Sequence, residues 1–278
     1  MENVIIVGAG PAGISCAVML KHLGISSLLI EKKQPGGLLR NAYLVKNYLG
    51  FNGMGGVDLV KKFTSHLNDF KIKPLHQDVI KITHKKYFAV TTNKKKYNAR
   101  FVVIAAGTKP KPFAYKMACK KNLFYEIADF PKVKNKTIAV VGAGDSAFDY
   151  ALSLAKKNKA VILNRGKVIK ANKFLVKQVL ANKNISYLDN FKIDKIKQDA
   201  KKLILHGTKN IAADFILSAT GREPVYPQVT KNVLKNKNLY LAGDIKNAMF
   251  RQSSIASADA IKCAMEIYAK LTNPSKNS

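Results

Sequence analysis

Two glycine clusters define the chemistry open to this chain. The first, Gly8-Ala9-Gly10-Pro11-Ala12-Gly13, directly follows the apolar run Val4-Ile5-Ile6-Val7. The first glycine permits a tight strand-to-helix turn, and the second lets a pyrophosphate approach the backbone. The third lets helix and strand pack closely, and the phosphates meet the free N–H groups at the positive end of the helix. Such a motif alone is weak evidence, but Glu31 closes the next predicted strand, where a carboxylate accepts hydrogen bonds from a ribose diol. The second cluster, Gly142-Ala143-Gly144-Asp145-Ser146-Ala147, repeats the pattern with Ala147 in the third small position. At its acid position stand Asn164 and Arg165. An acid would repel a 2′-phosphate and an arginine attracts one, so this motif leans toward NADPH over NADH.

A third element is Gly243-Asp244, after the strand-like Leu239-Tyr240-Leu241. An aspartate there can bond a hydroxylated chain. Arg251-Gln252-Ser253 then opens a long predicted helix whose N-terminus could stabilise an electron-rich ring; an ordinary strand-to-helix turn reads equally well. Two dinucleotide motifs in one chain point to electron transfer between two carriers that the protein aligns. No other catalytic set competes. The five histidines lie outside any motif, and no metal-ligand spacing occurs. Cys16, Cys119 and Cys263 form no C-x-x-C. Cys16 lies early in the first predicted helix, where the dipole can generate a reactive thiolate; the alternative is a small apolar core residue.

These residues require a repeated frame. Strands are predicted over 3–7 and 27–30, with a helix over 12–23 between them. A second helix spans 57–69, with Val57, Val60, Phe63 and Leu67 on one face. Residues 79–107 alternate as an antiparallel meander ending in Ala105-Ala106-Gly107. A second strand–glycine–helix–strand unit starts at Thr137. Another antiparallel stretch over 185–221 follows, ending in Ala219-Thr220-Gly221, and a helix over 254–271 closes the chain. Prolines at 110, 112, 224 and 227 mark linkers.

The 278 residues suit one large domain or two ordinary ones. No apolar run reaches the roughly 18 residues of a membrane span, and no signal-peptide pattern opens the chain; the expectation is a cytoplasmic protein without membrane association. The formal charge of +31 fits an acidic partner. Yet only five of the 48 basic residues are arginines, and lysine pairs spread along the whole chain suit a compositional bias equally well. Without a basic arm or an RNA-binding motif, nucleic acid is disfavoured as a partner.

Nearly the whole chain resembles the low-molecular-weight thioredoxin reductases and the thioredoxin-reductase-like ferredoxin–NADP reductases. The segments that carry the likeness are GAGPAGISCA, GGLLRNAYLVKNYLGF, VVIAAGTKPK, VVGAGDSAFDYAL, ILSATGREP and GDIKNAMFRQSSIASADAIKCA. The resemblance implies an α/β fold of two Rossmann-like, three-layer dinucleotide-binding domains with antiparallel β-meanders. An NAD(P) domain (113–222) would be inserted in a discontinuous FAD domain (1–112 and 223–278). It implies FAD, NADPH or NADH, and a homodimer. Carried over by position, Gly8, Gly10, Pro11, Ala12, Gly13 and Glu31 would hold the FAD adenosine and pyrophosphate. Gly37, Leu38, Asn47 and Gly107 would approach the flavin, and Val79 the adenine. Asp244 would meet the ribityl chain, and Arg251, Gln252 and Ser253 the ring. Gly142, Gly144, Asp145, Ser146 and Ala147, with Arg165 and Lys170, would serve NAD(P).

The departures decide more. Leu38 replaces the family's glutamine. The phosphate-reading H-R-R-x-x-x-R is Asn164-Arg165-Gly166-Lys167-Val168-Ile169-Lys170, and the redox C-x-x-C-D falls on Tyr125-Glu126-Ile127-Ala128-Asp129. Without that dithiol, reduced flavin cannot pass electrons through an internal disulfide exchange. The ferredoxin reductases also lack the cysteines and carry an aromatic in this segment, which Tyr125 matches; the C-terminal extension usual among them is expected to be missing. The favoured activity is FAD-dependent NAD(P)H oxidation with an external acceptor, either an acidic carrier such as ferredoxin or flavodoxin or a small molecule. The alternatives are a disulfide reductase using Cys16, and a flavin-bound redox sensor or nucleic-acid-binding module.

Overall fold

The computed structural model describes residues 1–117 and 120–272. Cys119 lies outside the described residues. In chain order the elements begin β1 (Glu2–Val7), α1 (Pro11–His22), β2 (Ser27–Glu31), α2 (Gly56–Asp69), β3 (Leu75–His76), β4 (Val79–His84), β5 (Phe88–Thr92), β6 (Lys96–Ile104) and β7 (Thr108–Pro110). Then come β8 (Leu123–Phe124), β9 (Thr137–Val141), α3 (Asp145–Ala155), β10 (Lys159–Leu163), α4 (Lys173–Leu180), β11 (Ile185–Leu188), β12 (Lys195–Asp199), β13 (Lys202–His206) and β14 (Asn210–Ala213). The last are β15 (Phe215–Ser218), β16 (Arg222–Pro224), α5 (Lys231–Leu234), β17 (Leu239–Leu241) and α6 (Ser253–Thr272). They form two compact units, residues 1–40, 45–109 and 223–278 in one, 41–44 and 110–222 in the other.

The first unit is built on a sheet ordered β3-β2-β1-β6-β5-β4. Strand β6 has a double role. One edge pairs parallel with β1; the other pairs antiparallel with β5 over Lys96–Ala99 and parallel with β17 over Val102–Ile104. The expected meander is therefore only β4, β5 and the start of β6. The run Phe101–Ile104 is buried because it crosses the sheet centre, where strands are covered on both faces and read as continuous apolar sequence. Helices α1 and α6 cover one face. Small residues (Ala12, Cys16 and Ala17 on α1; Ala256, Ala260 and Ala264 on α6) join this core with Val4, Ile6 and Leu20, which lets the two helices approach closely. The other face buries Ile5, Ile30, Phe88, Val90 and Ile104 beneath the β4–β5 hairpin. Helix α2 differs from expectation: Val57 is exposed, and Leu59, Val60 and Leu67 make the buried stripe. The stripe runs from the buried Gly56 through Leu59 and Val60 to Leu67, and Val57 falls beside it on the solvent side.

The second unit repeats the design. Its sheet, β11-β10-β9-β15-β8, is parallel throughout. One face packs Phe148, Ala151, Leu175 and Val179 of α3 and α4. The other packs Phe191, Ile193, Leu203 and Leu205 around the antiparallel β12-β13-β14 sheet. The stretch 185–221 is thus not one antiparallel run: β11 and β15 at its ends belong to the parallel sheet. Residues 41–44 also belong to this unit. Tyr43 donates its N–H to the Asp149 carboxylate at 2.9 Å, and the Asn41 side chain accepts the Ala128 N–H at 2.8 Å. The Lys156 ammonium lies 4.6 Å from the Tyr43 ring centre.

Asp149 has a carboxyl pushed up to about 6, by burial first and by the charge of Asp145, against the backbone N–H groups of Tyr43 and Leu44, which pull it down. The folded state therefore keeps a proton that the unfolded chain has released, and stability falls as pH rises from about 4 through 6. We expect Asp149→Asn to flatten this component. The denaturation free energy of the wild type, relative to the variant, should drop by about 1.4 kcal/mol between pH 5 and pH 7.5. Parallel curves for the two proteins would refute the assignment.

Candidate functional site

Each unit carries its glycine cluster at the same place, where the first central strand hands over to the first helix. In the first unit Gly8 adopts a φ of +99°, and a Cβ there would stand 2.5 Å from the Ala105 carbonyl oxygen. A Cβ on Gly13 would lie 1.8 Å from the Gly8 oxygen. Both glycines are demanded by packing. Gly10 is not: the nearest atom its Cβ would meet is the Gly37 Cα, 3.9 Å away. Gly10 caps α1, whose N-terminus begins at Pro11. The two glycine backbones face one another across a space a side chain would fill, which fits a pyrophosphate lying over the helix end. Glu31 accepts the Ala9 N–H at 2.6 Å and the Lys33 N–H at 2.8 Å. It braces the turn and leaves further lone pairs for a ribose diol.

The flavin-side residues fall in the same unit. Asn47 donates its amide to the Gln252 side chain at 2.8 Å, joining positions 205 residues apart. Arg251 donates to the Asn247 carbonyl at 3.1 Å, immediately before α6. Asp244 and the buried Gly243 lie in a 3-10 turn after β17. Asp259, on the first turns of α6, accepts the Gly243 N–H at 3.3 Å and the Asn247 amide at 2.5 Å, and pairs with Lys246 at 3.5 Å. Asp259 and Asn247 thus hold the turn that presents Asp244. Neither stands out in the sequence, because their partners are brought together only by the strand–turn–helix geometry. Gly37 and Leu38 start a 3-10 turn over Gly37–Asn41. Gly107 follows β6 with a φ of +65° and accepts the Val225 N–H at 3.0 Å. Val79 opens β4 at a register shift.

In the second unit Gly142 has a φ of +137°, and its Cβ would meet the Ala219 oxygen at 2.4 Å, repeating the relation of Gly8 to Ala105. Gly144 caps α3, and a Cβ there would meet nothing within 4 Å. Again one glycine serves the fold and the next leaves room. Ser146 is exposed at the helix start and Ala147 is fully buried against the strand core. Asp145 does not face away freely. It accepts the Asn172 backbone N–H at 2.7 Å and side-chain amide at 3.1 Å. With the Lys170 N–H on the Ala143 carbonyl at 2.9 Å, this folds the loop bearing Arg165 and Lys170 beside the glycine turn.

Cys16 is fully buried among Ala12, Ala17 and Ala260, and burial, with a smaller contribution from Cys263, drives its thiol far above the normal range. Cys263 is also buried and raised to about 11, chiefly by burial. Position in the helix proves less important than the dry core around it. Among the described residues no group of three or more metal-type ligands occurs, and no helix is long and apolar enough to cross a membrane.

Two nucleotide cradles on duplicated Rossmann units define an NAD(P)H-linked flavoprotein oxidoreductase. Residues 2–260 match the family model for pyridine nucleotide-disulphide oxidoreductases, and the chain belongs to that family. It is 28% identical to the thioredoxin reductase of Bacillus subtilis across 95% of this chain and 93% of that one. It is 26% identical to a 34.2 kDa protein in the rubredoxin operon of Clostridium pasteurianum across 95% of both. The crystal structure of T. acidophilum thioredoxin reductase superposes with a TM-score of 0.86 at 26% identity, covering 97% of this chain and 98% of that one. FAD and a nicotinamide dinucleotide are the cofactors of this oxidoreductase.

The two kinds of glycine separate experimentally. Gly144→Ala should keep its melting temperature within about 2 °C, since nothing opposes the added methyl, while weakening NAD(P)H binding at least about tenfold. Gly142→Ala should lose folded protein outright, because its Cβ meets a backbone carbonyl. Calorimetry and nucleotide titration on both variants distinguish the roles; equal stability losses would contradict the assignment.

Proposed function

We propose that this oxidoreductase passes electrons from NAD(P)H through FAD directly to an external acceptor, with no internal dithiol relay. The observation that carries the reading is the state of residues 125–129, where the resemblance would put the family's C-x-x-C-D. Three of them are tied into the structure. The Tyr125 hydroxyl accepts the Phe113 N–H at 3.2 Å. Glu126 forms a largely buried pair with Arg222 at 2.9 Å. The Ala128 N–H is held by Asn41. Removing one partner of such a buried pair would cost several kcal/mol, so the segment is built as framework. Cys16 and Cys263, sealed in the α1–α6 core, offer no substitute thiolate, which weighs against a Cys16-based disulfide reductase.

The bound carriers supply the redox chemistry, a hydride passed from nicotinamide to flavin. The chain's own contribution is binding and orientation. Gly8, Gly10 and Gly13 with the α1 N-terminus would hold the FAD pyrophosphate, Glu31 its ribose, Asp244 its ribityl chain, and Gln252 and Asn47 the ring. Gly142 and Gly144 with the α3 N-terminus would hold the nicotinamide dinucleotide. The acceptor we favour is an acidic one-electron carrier protein, so that one NAD(P)H reduces two carriers and releases one proton. The +31 charge suits it, and the relative named for a rubredoxin operon lends weight to a small carrier.

A homodimer is the proposed assembly. On α6, Ile261, Met265 and Tyr268 are exposed at 38%, 54% and 39% with the spacing of one helix face. The row continues from an apolar groove of about 400 Å³ lined by Ile14, Met19, Phe63, Phe70 and Ile261. Light scattering should find a dimer for the wild type and a monomer for Met265→Glu; a variant dimer of unchanged affinity would exclude this face.

Anaerobic stopped-flow tests the electron path. Flavin reduced by NADPH or NADH should be reoxidised by ferredoxin or flavodoxin at a rate that falls steeply with salt, and should leave thioredoxin disulfide unreduced. Cys16→Ser should change neither step. Thioredoxin reduction, or its loss in Cys16→Ser, would overturn the proposal.

A further inference from the structure

The acid position of the second nucleotide motif holds Asn164, and its side chain does not face the nucleotide groove. It is 6% exposed, and each end is occupied within the unit. The Nδ2 group donates to the Val168 carbonyl at 3.1 Å and to the Tyr187 hydroxyl at 2.8 Å, while Oδ1 accepts the Gly166 N–H at 3.2 Å. The backbone is held as firmly. The Asn164 N–H donates to Leu188, its carbonyl accepts from Phe191, and Asn190 donates to Gly166. One amide therefore ties residues 164, 166 and 168 to strand β11. Tyr187 is itself set by Phe148 of α3, whose ring centre lies 5.9 Å away.

What this latch presents is a loop carrying exposed Arg165, Lys167 and Lys170. An ionised carboxylate at the strand end, directed at the ribose, is the usual device for choosing the unphosphorylated dinucleotide. Here an uncharged side chain takes that position and turns inward. The strand end itself carries no carboxylate to oppose a 2′-phosphate, and the cations are set by the loop's shape rather than by long flexible side chains alone.

We infer that Asn164 and Tyr187 are positioning residues for recognition of a 2′-phosphate, acting through the loop they hold and not by touching the ligand. The inference rests on the second unit being the nicotinamide-dinucleotide site. Asn164→Asp keeps the shape, replaces the donors with a second acceptor oxygen and adds a negative charge. The introduced carboxylate would face the Val168 carbonyl, oxygen against oxygen, and the loop would lose its register. The uncharged Tyr187→Phe, which removes the acceptor of one Asn164 bond, separates loss of loop position from charge repulsion.

The test is calorimetric binding to the FAD-loaded protein of two adenosine fragments, 2′,5′-ADP and 5′-AMP, which differ by the phosphate in question. The wild type should prefer 2′,5′-ADP. Asn164→Asp should weaken 2′,5′-ADP about tenfold and 5′-AMP less than about twofold, and Tyr187→Phe, which removes one acceptor and leaves the fold packed, should give a smaller shift in the same direction. Steady-state kinetics should show the same split, with KM for NADPH rising and kcat unchanged. Equal weakening of both fragments would reduce Asn164 to a general structural role and overturn the inference, as would unchanged selectivity in both variants. A wild type that binds 5′-AMP but shows no preference would overturn it while leaving the dinucleotide site intact; a wild type that binds neither fragment would remove that site as well.

Discussion

The close contact between a glycine and a carbonyl is the constraint on which both units are built. In each, the first glycine of the motif lies against the carbonyl of an alanine on the neighbouring strand end, Ala105 for Gly8 and Ala219 for Gly142. In each, that alanine donates its N–H to the last residue of the first strand, Ala105 to Val7 and Ala219 to Val141, both at 2.8 Å. The contact fixes where the strand ends and where the helix begins. It therefore fixes the direction of the helix N-terminus that, on the proposed reading, would receive phosphate. A Cβ at either glycine would separate the two strand ends and misdirect the helix, so the chemistry is inherited from a backbone contact that contains no functional group.

This constraint also explains the short Ala-Ala-Gly and Ala-Thr-Gly turns. Their repetition was visible in the sequence, as were both glycine motifs, Glu31 and the α/β class. Their purpose was not, since a carbonyl's partner depends on which strands become neighbours. The same gap explains the strand errors. Phe101–Ile104 and Phe215–Ser218 follow alternating segments and read as their continuation. In fact each leaves its meander and enters a parallel sheet, a change decided by long-range pairing with β1 or β9. Asn41–Leu44 is a stronger case. Nothing local distinguishes it from the glycine- and asparagine-rich loop around it, yet it belongs with the second unit through Asp149 and Ala128. Helix α4 leaves no mark in the sequence, because its eight residues give too few turns for a periodicity to register against the lysines within it.

Cys16 shows how a local rule yields to packing. Placement near a helix N-terminus favours the thiolate, but that effect presumes some access to solvent. Between α1 and α6 the small residues that bring two helices together also exclude water, and desolvation dominates any dipole contribution. The same alanines that make the first unit compact thereby render its cysteines inert. On the proposed reading, redox capacity in this unit comes from a cofactor held at the strand ends, and not from the helix core a few residues away.

The replaced dithiol segment completes the same reasoning. A C-x-x-C must remain free to exchange, so its surroundings cannot depend on it. Residues 125–129 have the opposite character. Tyr125 receives the Phe113 N–H, Glu126 faces Arg222, and the Ala128 N–H is occupied by Asn41. Arg222 and Glu126 also sit close enough to Tyr150 to act on its hydroxyl, which burial, the larger effect, pushes up to about 12. On the proposed reading, the chain carries, where the family places an electron-relaying segment, one that holds neighbouring strands and loops in place. Cysteines at 125 and 128 would remove the Tyr125 hydroxyl that receives the Phe113 N–H. They would leave Glu126 on Arg222 and the residue-128 N–H on Asn41. The external acceptor, on that reading, therefore rests on the loss of two sulfur atoms within a segment otherwise tied into the second unit.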